Sequence, residues 1–503
     1  MSRRLVAVAA CVGATASITA LAVAQPALAS VKCATEPGFA SGSSLQNNAQ
    51  LKVFLTAAGW FAHSQCAVAP TSKSITYTKT TSGAGLEEFG NNTSELQPQE
   101  DPTAVAAEGK GEGIKDVEGK VLDWFVGTDD PPTAGELSEA QAAAGAKNLA
   151  EITIPVAQSP VAILLSLPTG CLIPEGSKVD IENTTLPQLW EGVNAKSGSD
   201  PGGIAAQGGY AADTWGALLT QLGFSKTAED PPTVASTFFD NGTAEGCEQQ
   251  IKPQVRSASS GTSYATKNYF AQVNFSVWQQ YADDFTNWPT SLKVESDPLS
   301  GGGGSQTNET GGKLAANTAA TPGSIGYAAA SDAAGNGAFT NSATSTTYGT
   351  GTGKSPAHQI LWAEIQDNGK GTSGVAYADP ALSGQEVANC ETTKLITYDK
   401  GFPYSYTDSW FGIVATDPNI AKDAGAGDYS ICALTYDLVW HHYSNTNLYG
   451  KTEAAHEVAS TVKDLFEYIV GAGQTEIASH YYQRFPSQMQ AHINQAVSPG
   501  IGY

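Results

Sequence analysis

The sequence predicts an α/β protein of two lobes, and two observations carry that prediction. Short apolar runs of β-type spacing alternate with helically spaced stretches along much of the chain, the pattern of strands covered by helices. At 503 residues, the chain is also longer than one ordinary hydrophobic core encloses.

Ser74-Ile75-Thr76-Tyr77-Thr78 alternates as a strand does. Ile152-Thr153-Ile154-Pro155-Val156 leads into Val161-Ala162-Ile163-Leu164-Leu165, a run suited to a buried strand. Tyr429 to Val439 is strand-like as well. Helical spacing appears at residues 458–470, through Val458, Leu465, Phe466 and Ile469, and less cleanly from Tyr482 to Val497. Two stretches are expected to be loose. Ser300 to Gly353 is rich in Gly, Thr, Asn and Ala, and Asn91 to Gly113 is polar and acidic. Inside the first, Thr321-Pro322-Gly323-Ser324-Ile325-Gly326-Tyr327 reads as a turn entering a short strand. No internal repeat is found.

The first residues predict export. Ser2-Arg3-Arg4 is a short positive region, Leu5 to Ala24 is mostly apolar, and Ala27-Leu28-Ala29 offers a small-x-small cleavage pattern before Ser30. Cys11 lies too early for a lipoprotein box. No later run approaches the about 20 apolar residues that span a bilayer, so a soluble extracytoplasmic product is expected. Cys33, Cys66, Cys171, Cys247, Cys390 and Cys432 are widely spaced, with no C-x-x-C pair. Disulfides fit this spacing better than zinc. Many connectivities are open to them; proximity favours Cys33 with Cys66, Cys171 with Cys247, and Cys390 with Cys432. The formal charge of −23 argues against nucleic acid and anionic membranes. It does not exclude an anionic ligand, because helix-start N–H groups and a single Arg build a local anion site.

Three segments share the design of such a site: small polar residues and Gly where a loop enters a helix. They are Ser41-Gly42-Ser43-Ser44-Leu45-Gln46, Thr80-Thr81-Ser82-Gly83-Ala84-Gly85-Leu86, and Arg256-Ser257-Ala258-Ser259-Ser260-Gly261-Thr262-Ser263. Unpaired N–H groups and a partial positive charge suit an anion of phosphate type, and Gly admits close approach. Taken singly, each is an ordinary helix cap, and Arg256 a surface cation. The set, in one exported chain, carries the argument.

In this set the chain resembles the substrate-binding protein of bacterial phosphate ABC transporters, of the type II periplasmic binding protein fold. Five segments in order carry the likeness: Ile75-Thr76-Tyr77 with Ser82-Gly83-Ala84-Gly85-Leu86; Phe125-Val126-Gly127-Thr128-Asp129-Asp130-Pro131-Pro132; Ile154 to Leu165; Val255-Arg256 with Ser260-Gly261-Thr262-Ser263-Tyr264; and Pro322-Gly323-Ser324-Ile325-Gly326-Tyr327. The resemblance implies a two-lobed protein with the ligand cleft between lobes. Lobe 1 is then residues 30–157 plus 428–503, and lobe 2 residues 158–427. It also implies a phosphate site in which Ser44 and Leu45 stand at a Thr-Phe pair and Ser82 donates. Asp129 accepts a hydrogen from the ligand, Arg256 pairs with its oxygens, and Ser260, Gly261 and Thr262 donate from a helix start. The implied partners are inorganic phosphate and a membrane-embedded permease; the protein acts as a monomer, without cofactor or catalysis. The sequence departs from the family in three places. Its first motif is poorer in Gly and aromatic residues than is usual, the 91–124 insert lengthens the gap before Asp129, and Ala258 replaces the Asp that follows the Arg. Within the insert, Gly109 to Lys115 offers an alternative Gly-rich loop, but lacks the hydroxyl and preceding strand of Ser82.

Other chemistry is poorly supported. On a strand, His441 and His442 would point to opposite faces, and His63, His358, His456, His480 and His492 are scattered. No HExxH, G-x-S-x-G or Walker loop is present. Asp129-Asp130 as metal ligands of a secreted phosphatase lack a nearby His. A binding protein for another oxyanion or small acid, or a secreted phosphatase or surface-interaction protein on the same fold, are the remaining alternatives.

Overall fold

A computed structural model describes residues 31–72, 74–89, 123–129, 151–191, 214–243, 245–257, 260–274, 278, 288, 308–346, 357–371, 374–382, 385–390, 392, 427–443 and 452–502. The expected leader, most of the 91–124 insert with its alternative loop, and Asp130-Pro131-Pro132 fall outside these residues.

One nine-stranded sheet organises the fold. Its strands are β1 (Gly38–Gly42), β2 (Ile75–Lys79), β3 (Asp123–Thr128), β4 (Glu151–Ser166), β5 (Lys252–Pro253), β6 (Ser324–Ala329), β7 (Thr344–Thr346), β8 (His358–Trp362) and β9 (Cys432–Trp440). Parallel β1, β2 and β3 form one end. β9 runs antiparallel between β3 and the first part of β4. The second part of β4 changes partners and pairs antiparallel with β6 and β8. β4 is therefore common to both halves of the sheet, and the expected α/β class is what the chain forms.

The two apolar runs expected around residues 152–165 are this single 16-residue strand, almost wholly buried. Pro155 and Pro160 cannot donate to a ladder, so a central strand has to accommodate them. It does so at irregular points: the register against β9 slips between Thr435 and Tyr436, opposite Ala157 and Pro155. Pro160 sits where β4 leaves β9 for β6.

The stretch expected to be loose at 300–353 is otherwise over its central residues. Gly311–Ala320 is a helix, β6 is buried at every position, and Ala330–Gly337 is a second helix. Small residues make this possible, since Ala, Gly and Thr let helix and strand backbones approach where larger side chains would hold them apart. Low complexity here marks close packing.

The helices that matter for the site are α1 (Asn47–Ala49, continued as a π-helical turn Gln50–Phe54), α2 (Ser82–Glu88), α3 (Gly261–Val273), α4 (Gly311–Ala320), α5 (Ala330–Gly337), α6 (Thr452–Val470) and α7 (Ser487–Gly500). α6 covers the β1–β3 end, where Phe466 meets Phe125 edge-on at 5.3 Å. Asp464 of α6 accepts from Trp60 Nε1 at 2.7 Å, Ser64 Oγ at 2.6 Å and the Gln65 N–H at 2.8 Å. The other half packs an aromatic cluster of Trp190, Phe270, Trp278, Trp288 and Tyr327. Disulfides join Cys33 to Cys66, Cys171 to Cys247 and Cys390 to Cys432, the pairs that sequence proximity favours. His441 and His442 follow the end of β9, and their rings lie 3.8 Å apart rather than on opposite faces, because the strand has ended at Trp440. Among the described residues no group of three His, Cys, Asp or Glu side chains is placed to hold a metal ion, and no helix is long and apolar enough to cross a membrane.

Glycine sets the spacing at the carboxyl ends of β1 and β3. Gly42 has φ of +124°, and a Cβ there would fall 2.0 Å from the Gly127 carbonyl oxygen; one on Gly85 of α2 would fall 2.8 Å from the Gly42 Cα. Gly42→Ala therefore combines backbone strain of about 1–3 kcal/mol with overpacking of similar size, ~1–3 kcal/mol. Urea unfolding should show a loss of roughly 2–5 kcal/mol, and a variant as stable as the wild type would disprove this account of the β1–β3 approach.

Candidate functional site

The site is built where strands end and helices begin. β1 ends at Gly42, and the chain turns through Ser43, Ser44, Leu45 and Gln46 into α1. β2 leads within three residues to Ser82 at the start of α2. β3 ends at Thr128, which places Asp129 beyond the sheet edge. From the other half, Arg256 precedes α3, whose N-cap is Ser260: the Ser260 side chain accepts from the Ser263 N–H at 3.3 Å.

These segments meet. Asp129 is 4% exposed, and one of its carboxylate oxygens accepts from Ser43 Oγ, the other from Ser82 Oγ at 3.2 Å. The same Ser82 hydroxyl accepts the Asp129 N–H at 3.2 Å and the Gly261 N–H at 3.3 Å. That last bond joins the two halves of the molecule. Gly261 is the only residue type that fits there, since a Cβ would stand 2.4 Å from the Asp129 Cβ. The start of α3 thus lies directly against Asp129, with its partial positive charge facing the carboxylate.

Arg256 is 3% exposed and fully engaged in orientation. Nη1 donates to Ser260 Oγ at 2.8 Å, Nε to the Asn308 carbonyl at 3.1 Å, and Nη2 to the Glu309 carbonyl. Sequence reading left this arginine without the acidic neighbour that Ala258 replaces. Two main-chain carbonyls just ahead of α4 hold the guanidinium instead. Its backbone N–H donates to the Tyr327 hydroxyl at 3.2 Å, and that hydroxyl also shares a hydrogen with Ser263 Oγ at 2.6 Å.

Of the residues singled out by sequence, Ser82, Asp129, Arg256, Ser260 and Gly261 are brought together in one buried cluster. Thr262 is buried one residue into α3, and its carbonyl accepts from Thr266 Oγ1. Ser44 is buried at the border with α4, where its hydroxyl accepts the Gly311 N–H at 3.4 Å. Leu45 is buried; its N–H goes to Ser43 Oγ at 3.1 Å and its carbonyl accepts the Tyr482 hydroxyl at 2.6 Å. Sequence reading missed Ser43, although it is the residue of that turn which touches Asp129. It also missed Asn308 and Glu309, which lie in a stretch read as loose, and Asp332 of α5.

Burial dominates the electrostatics. It pushes the Asp129 carboxyl up to about 6, against the downward pull of hydrogen bonds from Ser43, Thr435 and Ser82 and of the Arg256 charge. Asp437, behind the site on β9, is driven well above the usual carboxylate range by burial, although Gln46 and Gln50 hydrogen bonds oppose the shift. The cluster therefore offers a buried guanidinium, N–H and O–H donors, and one carboxylate close to its switching point.

No protein-family model and no curated protein matches this sequence. Solved structures do match. A phosphate binding protein from Stenotrophomonas maltophilia is 14% identical, with 91% of this chain and 93% of that chain covered and a TM-score of 0.47. A putative phosphate ABC transporter substrate-binding protein with bound phosphate from Clostridium perfringens is 10% identical, with 89% and 99% covered and a TM-score of 0.38.

The raised Asp129 carboxyl has a consequence for stability. The folded state holds this proton more tightly than the unfolded chain does. Its contribution is present below about pH 4 and is lost as pH rises through about 6, on the order of 2–3 kcal/mol by neutral pH. Removing the charge removes this loss. Asp129→Asn should thus gain stability relative to wild type between about pH 4.5 and 7 in ligand-free protein, read as a widening difference in melting temperature. A constant difference across that range would rule out a raised Asp129.

Proposed function

We propose that this protein is an extracytoplasmic binding protein that captures inorganic phosphate in the cleft between its lobes and delivers it to a membrane-embedded ABC transporter. The observation that carries the reading is the meeting of Asp129 with Arg256, Ser82, Ser260 and the Gly261 N–H in one buried cluster. Arg256 and the start of α3 favour an anion. Asp129 disfavours every anion that brings no hydrogen. Together they select an oxyanion that carries a proton near neutral pH, as phosphate does and sulfate does not. The donors and the carboxylate now paired with one another would exchange those partners for ligand oxygens and a ligand hydroxyl. Thr262 and the Ser44-Leu45 turn flank the cluster and complete the proposed binding set. The lobes in this reading are 30–157 plus 428–503 and 158–427, working as a monomer, and the three disulfides support an oxidising compartment. Binding without turnover is part of the proposal.

Calorimetric titration of phosphate-stripped protein tests it. Phosphate should bind, and sulfate should bind at least about a hundredfold more weakly, since an unmet buried acceptor costs ~1–3 kcal/mol and a charged one more. Equal affinity for the two would end the phosphate assignment. Arg256→Lys loses the two-oxygen fork and should weaken phosphate by roughly tenfold to a hundredfold with an unchanged fold; unaltered affinity would remove Arg256 from the site. Asp129→Asn supplies an amide donor, so the gap between phosphate and sulfate should narrow, and a gap of unchanged width would take selectivity away from Asp129.

A further inference from the structure

Asp332 lies in the first turn of α5 and is 5% exposed. Its Oδ1 accepts from Asn48 Nδ2 at 3.4 Å and Asn336 Nδ2 at 3.2 Å. Its Oδ2 is buried and, among the described residues, accepts from none. A bare carboxylate oxygen in a dry interior is costly, so its direction matters. A Cβ built on Gly311 would stand 2.5 Å from this oxygen and 3.9 Å from Ser44 Oγ. Oδ2 therefore points at the start of α4, beside the Ser44 turn, and two residues along the chain from Glu309, whose carbonyl holds Arg256. Asp332 feels the charge of Asp129, and both feel Arg256. The unpartnered oxygen lies beside Ser44 at the border of the proposed phosphate site, on a side that the family resemblance does not supply.

We propose that Asp332 is a second acceptor for a ligand hydrogen, so that the protein takes phosphate as H2PO4−, with one ligand O–H given to Asp129 and the other to Asp332. The inference rests on the phosphate reading above and narrows it to one protonation state. The one-hydrogen form, HPO4 2−, can answer only one of the two carboxylates and sets its bare oxygens against the other.

The groups around Asp332 keep it an acceptor above neutral pH. Burial pushes its carboxyl up to about 6, with Asp129 adding to the shift, while the positive charges of Lys79 on β2, Arg256, and Lys52 of the π-helical turn pull it back. From the C-terminal segment, Tyr482 faces it with a hydroxyl committed to Leu45. Glu386 and His480 line a cleft of about 210 Å³ together with Asn48, Lys52 and Ser331. Above neutral pH free phosphate is mostly the one-hydrogen form. Binding must then draw a proton from solvent.

The test is titration of the stripped, full-length protein with inorganic phosphate between about pH 7.5 and 9, in buffers of different ionisation heats. Wild type should take up about one proton per phosphate and lose affinity roughly tenfold per pH unit. Asp332→Asn should take up almost none and should bind phosphate more tightly than wild type at the alkaline end. Wild type with no proton uptake and a flat affinity overturns the proposal without recourse to any variant. So does an Asp332→Asn protein with wild-type uptake, or one that is weaker by the same factor at every pH, as a purely structural Asp332 would be. A protein that binds no phosphate at any pH overturns this proposal and the phosphate reading together, whereas binding with the wrong proton count overturns this one alone.

Discussion

A carboxylate taken out of water has to be answered by donors, and Asp129 is answered from both halves of the molecule. Ser43 and Ser82 come from the β1–β3 end, and the start of α3 comes from beyond β4. Much of the surrounding architecture follows from that requirement. Gly261 occupies a point where a Cβ would meet Asp129 itself, and Gly42 and Gly85 occupy points where one would push β1, β3 and α2 apart. Ser82 connects the halves through one hydroxyl, donating to the carboxylate and accepting an N–H from each side. Even so, the hydrogen bonds and the Arg256 charge do not fully offset desolvation, because the carboxyl remains raised to about 6. A residue that costs stability in this way is maintained for something other than stability.

Arg256 meets the complementary constraint. A buried guanidinium is costly unless its donors are satisfied, and a freely rotating one recognises nothing. Here Ser260 and two carbonyls ahead of α4 use one donor on each nitrogen, which fixes the plane of the fork. Carbonyls do this without adding negative charge beside an anion site, as an aspartate at position 258 would. The orienting task falls to main-chain carbonyls about fifty residues away in sequence, not to a neighbouring side chain.

What was legible in the sequence follows from how local each cause is. The strand at 75–79 announces itself by alternation, and α6 by its helical stripe, since both bury one face against a regular neighbour. Arg256 and the Ser-Gly-Thr segment were legible because capping chemistry is written within a few residues. β1 was not. Gly38-Phe39-Ala40-Ser41-Gly42 contains no β-branched residue, and it is a strand because β2 and β3 pair with it on either side. The 300–353 stretch misled for a related reason: small residues signal loops in isolation, yet α4, β6 and α5 need them to pack closely. Pro155 likewise argues against a central strand until the slip in register beside it is seen. Asp332 could not be found by motif at all. Only the folded chain brings it to Gly311 and Ser44.

The net charge of −23 poses the remaining question, because an anion has to approach this molecule before any local geometry can hold it. Solution ions screen surface charges beyond about 8–10 Å, so most acidic residues cannot act on a buried cluster. What acts there is near and desolvated. Arg256 and the α3 start supply positive potential in a medium where it is little screened. Lys79 and Lys52 add to it from the side of Asp332. Asp129 and Asp332 supply negative potential in the same medium, and neither can be neutralised by a counter-ion from solvent without first losing its burial. A ligand with hydrogens turns those two repulsions into hydrogen bonds, while one without them meets both at full strength. In the proposed function, selectivity of this kind would come from the carboxylates, and affinity from the arginine and the helix start, so the two properties could be altered separately.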